Sequence, residues 1–365
     1  MQWGNGAVPA RRALLATTII IILAALLATG LESGASARPS TERPLRAHPL
    51  LHQRGFADPS VTRYGGGYVA VSTGRGAPRA TATSPTGPWT MRRRAMLKLP
   101  RWSVNQEIWA SDMVKVRHRW LLYYSAPVRG LGRGARCIGV ATSHSALGTF
   151  RSVGRRPLVC PRGADAPRAW DQLRHRGRHM PRSGVIDPSG FRGAGGSRYL
   201  LYKTQGYPSS IRIVRLTSRG ARVARHAHSR QLVRARGIIE NPVLVRRHQH
   251  FVLFTSEGFY GGCHYRTTWR RSHRLLHWGH RRPHLLLRRS RMGVCGPGGA
   301  DVVTRKHEQP LVFFHGWTCW GHLPCPPSFH INRSRGMHPK RSLYAAHLRW
   351  TRRGTPKVRG FLHPR

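Results

Sequence analysis

The segment IIENPVLVRRHQHFVLFTS, residues 238–256, reads as a carboxylate and a proline followed by two apolar strands around a basic turn. Val243 to Val245 forms the first run, and Phe251 to Phe254 has the length and content of a buried strand. Glu240 is conspicuous here, because the chain holds 63 Lys and Arg against only 12 Asp and Glu. A carboxylate among apolar neighbours carries a desolvation cost, so its place calls for a reason.

The same grammar recurs along the chain: a small or acidic residue near a proline, a few apolar positions, a turn, then an aromatic-rich strand. It appears in FADPSVTRYGGGYVAVST (56–73), IWASDMVKVRHRWLLYYSA (108–126), VIDPSGFRGAGGSRYLLYKT (185–204) and CGPGGADVVTRKHEQPLVFFHGW (295–317). Taking Asp58, Asp112, Asp187, Glu240 and Pro297 as anchors, the intervals are 54, 75, 53 and 57 residues. Further strand candidates, such as CIGVATS and SIRIVRLT, lie between the repeats, and no long helical period occurs in the mature chain. Four short strands per period is the pattern of a propeller blade, so five periods predict an all-β, five-bladed β-propeller. A β-sandwich would leave the internal similarity of the five units unexplained. The wider second interval contains CPRGADAPRAWDQLRHRGRHMPRSG, which reads as an insertion on one face of the propeller.

The spacing predicts that Asp58, Asp112, Asp187 and Glu240 occupy equivalent places at the starts of the innermost strands. Four of the twelve acids would then converge on one axial hollow, while the outer surface is left to Arg. Neighbouring carboxyl groups drive each other's proton affinities apart, which is what separates an acid from a base.

Residues 1–37 read as a secretory signal: Arg11 and Arg12, an apolar run, and Ala35-Ser36-Ala37 as a cleavage site. An uncleaved membrane anchor is the alternative. Residues 38–50 read as a Pro- and Arg-rich linker, and 51–365 as one propeller domain. All six cysteines lie beyond the signal, which suits disulfides in an oxidising compartment and a secreted protein. With no C-x-x-C pair, a zinc ribbon is disfavoured. Cys319 with Cys325 would close a short loop, and Cys263 with Cys295 would tie neighbouring segments.

The formal net charge of +51 makes nonspecific binding to anionic polymers expected. The Arg residues are scattered over the whole length and form no single arm or helix stripe. Specific nucleic-acid recognition is disfavoured, because the chain has no recognition helix or aromatic-interleaved basic motif.

The motifs ADPSV, IWASDM, IDPSGF and IENP resemble the blade starts of glycoside hydrolase family 43. IGVATSHSALGTF and the GPGGADVV and FFHGW segments are similar to the family's later blade elements. The resemblance covers residues 52 to about 350 and implies an inverting hydrolase acting on arabinose- or xylose-containing polysaccharides or oligosaccharides, of α-L-arabinofuranosidase or β-xylosidase type. It implies Asp58 as the general base, Asp187 as the carboxylate that orients the acid and raises its proton affinity, and Glu240 as the general acid. Trp109, Asp112, Asn241, Tyr260 and Arg266 become candidates for the sugar site, with His264 beside them. His315 matches an axial histidine that some members place beside a calcium ion, although a packed, hydrogen-bonded histidine would serve as well; no cofactor is required by the chemistry. The sequence departs from the family at WASDM, where a proline more often precedes the acid, and at Asn241, where glycine or alanine is frequent. A propeller that binds carbohydrate or anionic polymer without cleaving it is the competing reading.

Overall fold

The structure, a computed structural model, describes residues 46–164, 183–279, 281–289, 293–304 and 308–365. The signal segment expected over residues 1–37 lies outside the described residues, as do residues 38–45 of the linker and most of the insertion.

Five antiparallel sheets follow one another along the chain, and they make the five-bladed β-propeller that the repeats predict. The innermost strands are Ser60–Tyr64, Glu107–Val116, Val185–Arg192, Ile239–Arg247 and Cys295–Val303. Each pairs with a second strand: Gly67–Val71, Arg119–Pro127, Arg198–Thr204, His250–Glu257 and Leu311–Trp320. Helical structure among the described residues is confined to two short 3-10 turns, Ala194–Gly196 and Ile331–Arg333. No helix among those residues is long and apolar enough to cross a membrane.

The second strands explain why the blades form a ring. Successive side chains of a strand point to opposite faces, so one strand can serve two interfaces at once. In blade one, Tyr68 and Ala70 pack with Phe313 and Leu343 of blade five. Their neighbours Val69 and Val71 pack with Met113, Trp120 and Leu122 of blade two. Blade two in turn presents Tyr123 to Leu200 and Tyr202 of blade three, and blade three presents Leu201 and Ile213 to Leu244 and Leu253 of blade four. Val252 and Phe254 then meet Val312 and Phe314 of blade five. These runs are apolar throughout because both of their faces are buried, which is why they look unlike the half-polar strands of an open sheet.

The ring closes through residues that the sequence assigned to a linker. Leu50 is buried, its N–H bonds to the Leu343 carbonyl at 2.7 Å, and Leu51 pairs with Leu343. The Phe56 N–H reaches the Arg341 carbonyl at 2.6 Å. Ala47 and Leu50 are both buried: Leu50 packs with the first and last blades, and Ala47 with Val252, Phe254 and Val312 of the fourth and fifth. Disulfides Cys137–Cys160, Cys263–Cys295 and Cys319–Cys325 add covalent ties. The second fastens a loop of blade four to the start of the innermost strand of blade five.

Candidate active site

At the start of each innermost strand the chain makes the same local turn. Asp58, Ala110, Asp187, Asn241 and Gly299 all have positive φ, at 49°, 40°, 55°, 49° and 59°. Left-handed backbone is costly for most side chains, and Gly, Asn and Asp tolerate it best. Three consecutive residues from each blade, 58–60, 110–112, 187–189, 241–243 and 299–301, line the axial pocket.

This corrects the expected register. Asp58 and Asp187 are equivalent, but Glu240 stands one residue before the turn position and Asp112 two residues after it. In blade five the equivalent position is Gly299 rather than Pro297. Acids are scarce enough in this chain to attract attention as anchors, and the backbone turn that defines the repeat does not require one. Gly299 is needed for closeness as well as for its φ: a Cβ there would lie 2.7 Å from His315 Nδ1 and 3.0 Å from Asp58 Cα.

The turn N–H groups are caught by a repeated device. The residue before each turn pairs across the hairpin with a polar residue of the second strand: Trp109 with Ser125, Ile186 with Lys203, Glu240 with Ser256, and Gly298 with His315. In blade one the Thr73 N–H bonds to Ala57 O at 2.9 Å. That polar side chain accepts from the turn N–H of the next blade: Thr73 from Ala110 at 2.9 Å, Ser125 from Asp187 at 3.1 Å, Ser256 from Gly299 at 2.8 Å, and His315 Nδ1 from Asp58 at 3.1 Å. Blade three breaks the pattern. Lys203 has no lone pair when charged, so the Asn241 N–H goes to Asp187 Oδ2 at 3.0 Å.

Asn241 joins the acids together. Besides that backbone bond, its Nδ2 lies 3.4 Å from Asp58 Oδ1, and its Oδ1 accepts from the Tyr265 hydroxyl at 2.8 Å. The same hydroxyl is 2.8 Å from Glu240 Oε1, and Lys203 Nζ is 2.5 Å from Glu240 Oε2. Tyr265 fits because blade five has Gly298 beside it, where a Cβ would fall 1.9 Å from the Tyr265 Cε1 atom. Asp58 accepts from Thr73 Oγ1 at 2.7 Å and from Arg341 Nη1 at 3.1 and 3.3 Å.

These surroundings set the carboxyl groups apart. Burial works to raise Asp58, but the Arg341 guanidinium, helped by the Thr73 hydroxyl, outweighs it and holds the carboxyl below its usual range. Asp187 is pushed up to about 7, first by burial and then by the Glu240 and Asp58 carboxylates, with Lys203 opposing. Tyr265 is raised well above its ordinary value by burial and by the Glu240 carboxylate, so its hydroxyl keeps its proton.

Two further acids lie among the lining residues. Burial raises Asp112 to about 6, against the bonds from the Gly190 N–H at 2.7 Å and Ser60 Oγ at 2.9 Å. Each Asp112 oxygen thus accepts from a protein donor, and the residue staples blades one, two and three together at the pocket wall. Asp301 is pushed to about 7 by burial and by Asp112, although the Val61 N–H bonds to it at 2.6 Å. The sequence reading overlooked Asp301 because it took Pro297 as the anchor.

The remaining candidates divide. Trp109 is part exposed, with the Arg136 guanidinium 3.5 Å from its ring centroid, so one ring face is covered. Tyr260 borders the site through Arg341, whose guanidinium carbon is 5.3 Å from its ring centroid. Arg266 does not line the axial pocket; it borders a separate basic groove with His264, Arg288 and Arg289 and faces Glu257 at 3.6 Å. Its place in the strand after the Tyr260 loop points it along the outer part of blade four. His315 is buried and lowered to about 3 by burial, so it is neutral; its Nδ1 lone pair receives the Asp58 N–H and Nε2 therefore carries the hydrogen. Its Nε2 is buried and has no hydrogen-bond partner among the described residues, and no group of three His, Cys, Asp or Glu that could hold a metal ion occurs among them.

Lys203, Tyr265 and Arg341 went unnoticed in the sequence. Lys203 did leave a signal: a lone lysine inside the apolar run YLLYKT, in a chain with few lysines.

Fold and site together define a propeller glycosidase. The chain belongs to the glycosyl hydrolases family 43, whose family model matches residues 47–356. Among solved structures it is similar to the Cellvibrio cellulosa α-L-arabinanase complexed with arabinohexaose, at 18% identity and a TM-score of 0.63, covering 84% of this chain and 95% of that one. An endo-1,4-β-xylanase from Bacteroides thetaiotaomicron is 18% identical with a TM-score of 0.62, covering 87% and 99%. The endo-arabinanase from Bacillus licheniformis is 18% identical with a TM-score of 0.59, covering 84% and 98%. At that identity the likeness concerns the fold. Comparison with curated proteins gives no match.

Proposed function

We propose that this protein hydrolyses arabinose- or xylose-containing polysaccharides or oligosaccharides with inversion, as an α-L-arabinofuranosidase or β-xylosidase. The observation that carries the reading is the convergence of Asp58, Asp187 and Glu240 around Asn241 at the propeller axis. Family membership and the likeness to arabinanases and a xylanase support a pentose-containing substrate.

In this reading Asp58 is the general base. Arg341 keeps it ionised, so it can take a proton from a water attacking the anomeric carbon. Glu240 is the general acid that gives its proton to the leaving glycosidic oxygen. Asp187 shares the local negative charge and holds the Asn241 backbone, which fixes the neighbouring Glu240. The Tyr265 hydroxyl has one proton for two acceptors, Glu240 Oε1 and Asn241 Oδ1. A proton on Glu240 Oε1 relieves that shortage, which supports Glu240 as a proton carrier. Three disulfides suit an oxidising, extracellular setting, and export through the N-terminal segment completes the proposal.

The test is hydrolysis of aryl α-L-arabinofuranosides, aryl β-xylosides and pentosans, with the anomer of the first product read by NMR. Retention of configuration, or activity unchanged by Glu240→Gln on substrates with poor leaving groups, would overturn the assignment.

A further inference from the structure

Lys203 occupies a position where the other four blades place Thr73, Ser125, Ser256 and His315, each accepting the next blade's turn N–H. A lysine cannot do that task, and this one is 7% exposed in the middle of a sheet. Its ammonium instead reaches Glu240 Oε2 at 2.5 Å, while Tyr265 faces Oε1. A buried ammonium is costly unless paired, so the substitution of lysine for a hydroxyl needs a counterpart. Burial pulls the Lys203 proton affinity down, but the Glu240 and Asp187 carboxylates outweigh it and hold the ammonium above its usual range, with a smaller contribution from Tyr207.

We infer that Lys203 is a positioning residue that clamps the leaving-group acid, so that proton delivery to the glycosidic oxygen depends on this pair. The inference rests on the assignment of Glu240 as that acid. The groups facing the pair are Asp187 and Tyr207 on the Lys203 side and Tyr265 on the Glu240 side. Asp58 lies beyond Asn241, with His315 and Arg341 against it. Of these, only Lys203 places a positive charge in contact with Glu240 among the described residues. Clamped at both oxygens, Glu240 has one carboxyl orientation. The consequence is a dependence on the lysine that grows as the leaving group needs more proton donation.

The decisive comparison is kcat/KM of wild type, Lys203→Ser and Lys203→Arg on alkyl and 2,4-dinitrophenyl pentosides. Lys203→Ser restores the hydroxyl used in three other blades and can receive the Asn241 N–H, so it is the replacement that the fold already accommodates. With alkyl leaving groups its kcat/KM is expected to fall roughly tenfold or more, part of what general acid catalysis supplies. Lys203→Arg keeps the charge and should retain more of the activity. Dinitrophenyl substrates need little proton donation and should respond weakly. Equal kcat/KM for wild type and Lys203→Ser on alkyl substrates, or equal losses for both leaving groups, would overturn the inference and leave Lys203 a structural residue. If Glu240→Gln retains full activity on alkyl substrates, the acid assignment itself fails, separately from Lys203. Should Lys203→Ser not fold, Lys203→Gln repeats the comparison with the same outcomes. With no substrate cleaved, the Lys203 ¹⁵Nζ signal decides: a shift on Glu240→Gln supports the clamp, and an unmoved signal refutes it.

Discussion

Arg341 Nη1 lies 3.1 Å from Asp58 Oδ2 and 3.3 Å from Oδ1, with the guanidinium carbon 5.3 Å from the Tyr260 ring centroid and 5.9 Å from that of Trp317. The guanidinium is therefore held between two aromatic rings and aimed at one carboxylate. A general base must be ionised, and Arg341 lowers the pH at which Asp58 becomes so. Replacing Arg341 with Met removes that help. The acidic limb of kcat/KM should move to higher pH, with activity near neutrality much less affected. A profile unchanged on the acidic side would remove Asp58 from the role of base.

Asp58→Asn and Glu240→Gln should differ in their leaving-group dependence. Loss of the base impairs every substrate, whereas loss of the acid impairs poor leaving groups most. General acid or base catalysis is typically worth roughly 100- to 10,000-fold, which sets the expected scale. Steady-state rates on a series of aryl pentosides would separate the two, and parallel losses across the series would contradict the division of labour.

Asp301 provides a stability test independent of turnover. Its folded-state proton affinity is raised to about 7, first by burial and then by Asp112. Between the ordinary carboxylate value and about 7 the folded state binds more protons than the unfolded state, so stability declines as pH rises across that window. Asp301→Asn imitates the protonated form. Its melting temperature should gain on wild type progressively from pH 4 to pH 8, measured by differential scanning fluorimetry. A constant difference across that range would show that Asp301 does not titrate there.

Breadth of the repeat, rather than any one residue, made the fold legible. Five similar units at blade-like spacing specified the propeller, and DPS and IDPS lie where Asp58 and Asp187 line the axial pocket, with Glu240 of IENP one residue before the lining Asn241. The register within the turn was not legible, because the backbone requirement is a positive φ that Asp58, Ala110, Asn241 and Gly299 all meet. Scarce acids drew the alignment one residue off at Glu240 and two off at Asp112. Lys203 lies in a second strand, Tyr265 in the loop just before Arg266–Ser272, and Arg341 at the start of Lys340–Trp350. Their partners are set by packing between blades, which no local pattern encodes. Ala47 and Leu50, two core side chains, sit inside a stretch with a linker's composition.

The Cys263–Cys295 bridge closes a loop across a sequence separation of 32 residues and ends beside Tyr265 and the turn preceding Gly298. Cross-links of this kind typically contribute about 2–4 kcal/mol. The double substitution Cys263→Ala, Cys295→Ala should lower the melting temperature and also weaken kcat/KM, since Tyr265 loses its anchored neighbour. Lower stability with unaltered kinetics would confine the bridge to a structural role.

The surface charge has its own check. The formal net charge of +51 predicts retention on an acidic polymer that falls away as salt screens it. Retention that persists at 1 M salt would point to a recognition site other than scattered arginines.

The seam between the first and last blades joins Leu50, Leu51 and Phe56 to the strand that carries Arg341 and Leu343, and it is also where Asp58 meets its guanidinium. Chain ends separated by almost the full length of the domain must meet before Asp58 gains its guanidinium partner. A product truncated before the final blade lacks that contact however well its first four sheets have formed.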